Sequence, residues 1–286
     1  MTSAEQVTKP VAYHAEGPVW FESVSQLRWV DMFDGSVLTL DADGTVGRQN
    51  LSTSVVAAIR PRAQGGCVLA LERGFAIQPD LSEPSLTELP RVITRPSTRM
   101  NEGACDPDGR FYCGSMAYDA APHRGSLYRL NTDRSVDVIA DGLTISNGLD
   151  WAPDGGLAYY ADTATGGIDV FDYDSAGGLT DRRRFVTIDE RLGAPDGLTV
   201  DSEGHVWVAL WGGAAVRRYR PDGTLDGIVD LPVRNVTACT LGGPRRDVLF
   251  MTTSRVDTEI GAEPLAGALF RVRVGVPGQP VRNYLG

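Results

Sequence analysis

Lysine is almost missing from this sequence. Lys9 is the only one, and the other 26 basic residues are arginines scattered among 37 acidic ones. A net charge of −10 with no concentrated basic face argues against nucleic acid as a partner. Histidine and cysteine are also scarce. The three histidines (His14, His123, His205) and four cysteines (Cys67, Cys105, Cys113, Cys239) show neither CxxC nor zinc-ligand spacing, so the cysteines read as small buried hydrophobes. Cys105 and Cys113 flank the turn Asp106-Pro107-Asp108-Gly109, but a reducing compartment argues against a disulfide between them. His123 and His205 sit beside turn residues and read as structural or solvated groups.

Long hydrophobic runs are lacking too. No stretch approaches ~18 uninterrupted apolar residues, and the opening MTSAEQVTKPVAY carries Glu5 where a signal peptide would need an apolar core. The expectation is a cytoplasmic protein that does not engage a membrane. There is no G-x-S-x-G elbow, H-E-x-x-H, Walker sequence or G-x-G-x-x-G, so nucleophilic-serine, zincin and nucleotide-binding chemistry lack support. Sustained helical periodicity is absent as well.

What is present is glycine, proline and a repeat. With 33 glycines, 17 prolines, 42% hydrophobic and 22% charged residues, the chain is globular and rich in turns. A unit recurs in which a polar residue beside a small one opens an apolar strand, a D-x-x-G cluster turns the chain, and a second strand follows. Plain copies begin at Asn101-Glu102-Gly103, Asn147-Gly148-Leu149 and Asp196-Gly197-Leu198. Fainter ones begin at Glu16-Gly17-Pro18 and near Ala58 and Thr237. Short alternating strands separated by Asp/Gly/Pro turns are hairpins. At ~40–50 residues per unit they predict an all-β, six-bladed β-propeller of four-stranded antiparallel blades, one domain spanning residues 1–286. Ring closure then requires an outer strand for the last blade, predicted at Val7–Tyr13.

The innermost strand of a propeller blade lines the channel, so equivalent repeat positions form a ring at one mouth. That ring carries Glu16, Asn101, Asn147 and Asp196. Two carboxylates converging with two amides repel each other and resist burial unless a cation compensates them. Hard oxygen donors suit Ca²⁺, Mg²⁺ or Mn²⁺ and disfavour structural zinc. Spacing alone leaves the other reading open, that these residues merely hydrogen-bond neighbouring loops. The D-x-x-G clusters never continue to the glutamate that an EF-hand requires and read as turns.

Over nearly its whole length the chain resembles the gluconolactonases and the senescence-marker-protein-30 (regucalcin) lactonases. The resemblance rests on Glu16-Gly17-Pro18-Val19-Trp20, Arg99-Met100-Asn101-Glu102-Gly103 with Asp106-Pro107-Asp108-Gly109-Arg110, Ser146-Asn147-Gly148-Leu149 with Trp151, Pro195-Asp196-Gly197, and Cys239-Thr240-Leu241-Gly242-Gly243. It implies one divalent metal ion held by Glu16, Asn147 and Asp196, calcium first and magnesium, manganese, iron or zinc as alternatives. It further implies substrate contacts from Arg99 and Asn101, with an acidic contact at Asp119. Two departures bear on sugar preference: Glu102 stands where many relatives have Asp, and Asp119 is one carbon shorter than the Glu often found.

The expected activity is metal-dependent hydrolysis of a sugar (aldono-) lactone such as gluconolactone to the aldonic acid, without a covalent intermediate and with Asp196 as general base. The expected partner is the small-molecule sugar lactone, with no obligate protein partner. Rival readings are a phosphotriesterase on the same metal, a non-catalytic calcium-binding regulatory protein, and an interaction platform.

Overall fold

Hairpins set the architecture, and aspartate side chains close them. Asp106 Oδ1 accepts from the backbone N–H of Asp108 at 3.0 Å and of Arg110 at 2.8 Å. Asp201 Oδ1 does the same for Glu203 and His205, at 3.0 and 2.9 Å. The carboxylate thus replaces a backbone carbonyl in the turn. The last residue of each cluster, Gly109 or Gly204, takes a φ of +73° or +83°, which a glycine adopts without strain. These clusters are turns, as their sequence indicated.

The computed structural model describes residues 2–259 and 261–286. Among the described residues the hairpins form six antiparallel blades, each with four such strands. Their inner strands are Ala15–Phe21, Val56–Pro61, Thr98–Cys105, Ser146–Trp151, Ala194–Val200 and Val236–Gly242. The fifth blade gains an extra parallel strand, Thr2–Ser3, on its outer edge. Glu5–Gln6 closes the ring by pairing antiparallel with Phe270–Arg273 in the last blade. The closing strand therefore precedes the predicted Val7–Tyr13. That stretch follows the same edge as irregular backbone, with Val7 N–H on the Leu269 carbonyl at 2.8 Å and Val11 N–H on that of Gly267 at 3.1 Å. Pro10 has no N–H with which to continue a ladder.

Every inner strand breaks register near its start: between Glu16 and Val19, Val56 and Ala58, Met100 and Gly103, Ser146 and Leu149, Pro195 and Leu198, and Val236 and Cys239. A bulge leaves a residue unpaired and re-aims its side chain. Here it turns Glu16, Asn101, Asn147 and Asp196 into the channel mouth. The small residue that follows lets the inner strands approach. A Cβ on Gly148 would stand 2.5 Å from Leu198 N, and one on Gly197 2.4 Å from the Ala238 Cβ, closer than atoms can pack.

Apolar faces of neighbouring blades fill the space between them. The fully buried Trp151 meets Tyr112 and Tyr173 edge-on, at ring-centroid distances of 5.4 and 5.9 Å, an arrangement that suits the aromatic quadrupoles. All four cysteines are buried free thiols, and burial pushes those of Cys67 and Cys105 up to about 12. After the last blade the chain crosses the opposite mouth of the channel. There Gln279 donates to the carbonyls of Trp151 and Val200 at 2.8 and 3.0 Å, and Arg282 reaches Asp150 at 3.1 Å. Among the described residues no helix is long and apolar enough to cross a membrane.

Candidate active site

The mouth at which the inner strands begin holds a pocket of about 250 Å³. Glu16, Arg99, Asn101, Asn147 and Asp196 all line it, each only 4–6% exposed. Asp119 does not. Its neighbours Tyr118 and Ala120 line the pocket, whereas the Asp119 side chain is exposed beside it and accepts from the Ala121 N–H at 3.1 Å.

Burial, first of all, holds the carboxyls of Glu16 and Asp196 well above the usual carboxylate range. The charges of Asp196 and Glu102 push Glu16 further, and that of Glu102 pushes Asp196. Glu102 itself is tied on the inner side. It accepts from the Gly103 N–H at 2.8 Å and pairs with Arg60 at 3.3 Å, and Arg60 lines the cavity at the opposite mouth. On the pocket side the nearby cation is Arg99, sandwiched 5.1 Å from the Phe33 ring and 5.7 Å from that of Tyr118. Its Nη1 donates to Asn101 Oδ1 at 2.7 Å and to the Met100 carbonyl at 3.0 Å. Asn101 Nδ2 in turn donates to the Ser146 carbonyl in the next blade at 3.1 Å, which fixes the pair across the blade boundary.

Asn147 Nδ2 donates to Thr163 Oγ1 at 3.0 Å, so its other amide atom is left to face elsewhere. That atom, Asn147 Oδ1, is buried with no hydrogen-bond partner, and so is Asp196 Oδ1. Leaving a buried acceptor unpaired costs about 1–3 kcal/mol. Two such oxygens in one pocket with the Glu16 carboxyl form a donor set that a hard divalent cation would complete. Among the described residues no three His, Cys, Asp or Glu side chains gather as a metal site. A set built here therefore needs the Asn147 amide as its third donor, which fits a hard cation with open positions better than a closed zinc site.

Several lining residues were not found from the sequence: His14, Phe33, Tyr118, Thr163, Trp211 and Asp257. His14 Nδ1 lies 2.7 Å from Ser254 Oγ, its ring stacks on Phe33 at 5.0 Å, and its Nε2 stands 3.8 Å from Glu16 Oε1. Burial, then the charge of Arg99, lowers its pKa to about 3, so it faces the pocket as a neutral imidazole. Phe33, Tyr118, Thr163 and Trp211 lie at or just past the ends of the second strands of their blades. Carrying the repeat alignment one strand further would have placed all four at the same mouth.

The family model described as the SMP-30/Gluconolactonase/LRE-like region matches residues 14–255, from His14 beside Glu16 to the segment that borders the pocket. A pentonolactonase of Haloferax volcanii is 36% identical over 273 residues, covering 93% of this chain and 92% of that protein. Regucalcin of Danio rerio is 36% identical over 280 residues, covering 95% and 94%. A solved luciferin-regenerating enzyme superposes with a TM-score of 0.91 at 27% identity, covering all of both chains. With the bulged ring of Glu16, Asn147 and Asp196 inside the matched region and the propeller shared along its whole length, this chain belongs to the SMP-30/gluconolactonase/LRE-like family.

Proposed function

We propose that this chain is a metal-dependent lactonase that opens a sugar lactone to the corresponding sugar acid. The observation that carries the reading is the pair of buried, unpartnered oxygens, Asn147 Oδ1 and Asp196 Oδ1, in a pocket with Glu16 and Arg99. Names of relatives support it: one acts on a pentonolactone, and a solved relative from Xanthomonas campestris is described as a gluconolactonase. Glu16, Asn147 and Asp196 would hold one divalent cation, calcium being the first choice for an all-oxygen set. Such a cation supplies Lewis acidity toward a carbonyl oxygen and acidifies bound water.

The remaining work falls to the chain. Asp196, ionised with the cation in place, takes the proton of the attacking water. The water oxygen bonds to the lactone carbonyl carbon, the bond from that carbon to the ring oxygen breaks, and the proton held by Asp196 passes to the ring oxygen as it becomes a hydroxyl. Arg99 and Asn101 are locked to each other, so they present fixed donors to the sugar at little entropic cost. Asp119 lies exposed outside the lining, so its contact with a substrate would be peripheral. The aromatic rings of Phe33, Tyr118 and Trp211 give the small ring apolar walls.

The test is metal-stripped protein assayed against a panel of aldonolactones, with Ca²⁺, Mg²⁺, Mn²⁺, Fe²⁺ and Zn²⁺ added back singly. Turnover absent after stripping and restored by at least one ion supports the reading. Undiminished turnover in stripped protein refutes the metal dependence. Binding of Ca²⁺ with no turnover on any lactone would favour a regulatory calcium-binding protein.

A further inference from the structure

The catalytic pocket does not end at its rim. An open groove of about 700 Å³ runs between the fourth and fifth blades on the same face and shares Thr163 and Trp211 with the pocket. Resting on the lactonase reading above, we propose that this groove is a second sugar subsite. The chain would then accept aldonolactones that carry a glycosyl substituent, with the lactone ring in the pocket and the attached sugar in the groove.

Three features support that class of ligand. The groove floor is largely backbone, because Gly166, Gly193 and Gly212 contribute no side chains. Gly193 has a φ of +102°, and a Cβ there would stand 2.7 Å from Gly213, so a side chain at this position would strain the backbone and crowd the floor. The walls carry the Thr187 hydroxyl, the Glu190 carboxylate and the Asp189–Arg191 ion pair, donors and acceptors that a hydroxylated ring can engage.

The third feature is the junction. Trp211 is half-buried and borders both spaces. One edge is set against His14 at 6.1 Å with an 81° interplanar angle, which fixes the indole plane. The C–H face of a sugar carries partial positive charge and stacks on the negative face of an aromatic ring. Thr163 stands on the other side, with Oγ1 accepting from Asn147 Nδ2 at 3.0 Å. The groove therefore abuts the side chain proposed to hold the cation. Its walls are pre-ordered by backbone bonds: Ile188 N–H to the Gly166 carbonyl at 2.8 Å and Thr163 N–H to that of Ile145 at 3.1 Å. A substituent on the lactone ring that leaves through the mouth past Thr163 and Trp211 enters this groove.

The experiment compares kcat/KM for gluconolactone and for cellobionolactone in the metal-loaded wild type, Ala164→Trp and Arg191→Ala. Ala164 is exposed in the groove and absent from the pocket lining, so a tryptophan there fills the groove at the surface. The expected result is wild-type kcat/KM for cellobionolactone at least equal to that for gluconolactone. Ala164→Trp should lower only the disaccharide value, about tenfold, and Arg191→Ala should raise only its KM, about threefold. Gluconolactone turnover with poor use of cellobionolactone, or an equal effect of Ala164→Trp on both substrates, overturns the subsite while leaving the lactonase reading intact. Failure to turn over either lactone refutes the lactonase reading, and the subsite falls with it.

Discussion

The two mouths of the channel are built from the same six inner strands and treat polar groups in opposite ways. At the far mouth the charge of Asp150 is answered. Asp150 accepts from Arg282 at 3.1 Å, from Thr199 at 3.1 Å and from the N–H groups of Trp151 and Val200 at 2.8 Å each, and Gln279 and Arg282 cap the carbonyls around it. At the near mouth two buried oxygens have no partner, and burial and the charge of neighbouring carboxylates push two carboxyls well above their usual range. This contrast between groups satisfied at one end and left open at the other is what supports the proposed site at the open end.

The sharpest way to break this contrast is Asp196→Asn. At saturating metal, with occupancy checked independently, kcat should fall about 10²–10⁴-fold, or about 3–5 kcal/mol in barrier. The metal-free variant should melt no lower than wild type, since one of two repelling buried carboxyls has been neutralised. Near wild-type turnover would place the base elsewhere. Arg282→Ala probes the far mouth instead, where both partners are one-fifth exposed. It should cost about 1–3 kcal/mol of stability, read as a lowered melting temperature, with kcat of the folded enzyme unchanged. A fall in kcat would show that the two mouths are coupled.

Asn147→Ala should weaken metal affinity about tenfold, some 1.4 kcal/mol, and excess metal should restore part of the rate, which it cannot do for Asp196→Asn. The smallest effect concerns pH. In metal-free protein the folded pKa values of Glu16 and Asp196 lie above their unfolded values. Their stabilising contribution is thus fully present below about pH 4 and is lost as pH rises through the folded values. Chemical denaturation across that window should show stability declining with pH. Saturation with Ca²⁺ should remove the decline, because bound ligands stay ionised.

Much of this was legible in the sequence for a specific reason. The D-x-x-G clusters are local: Asp106 and Asp201 close their turns with atoms at most four residues away, so repeat count and blade number followed from spacing. The ring of Glu16, Asn101, Asn147 and Asp196 was visible because bulges recur at equivalent repeat positions. What escaped depends on long-range contact. The closing strand Glu5–Gln6 is defined by Phe270–Arg273, and the segment around Arg282 is defined by Asp150. His14 enters the pocket through Ser254, a partner that no local pattern announces. Asp119 was placed by resemblance alone, and it stands exposed in a turn with Ala121 beside the pocket.

One measurement bears most directly on the open mouth: calorimetric titration of Ca²⁺ into metal-stripped wild type and into a Glu16→Ala/Asp196→Ala double variant whose fold has been checked by circular dichroism. Wild type should bind one ion per chain with release of protons, because carboxyls whose pKa is raised by burial must ionise to hold the cation, and the double variant should give no heat of binding. Equal stoichiometry and affinity in the two proteins would contradict the assignment of the unpartnered oxygens to a metal site.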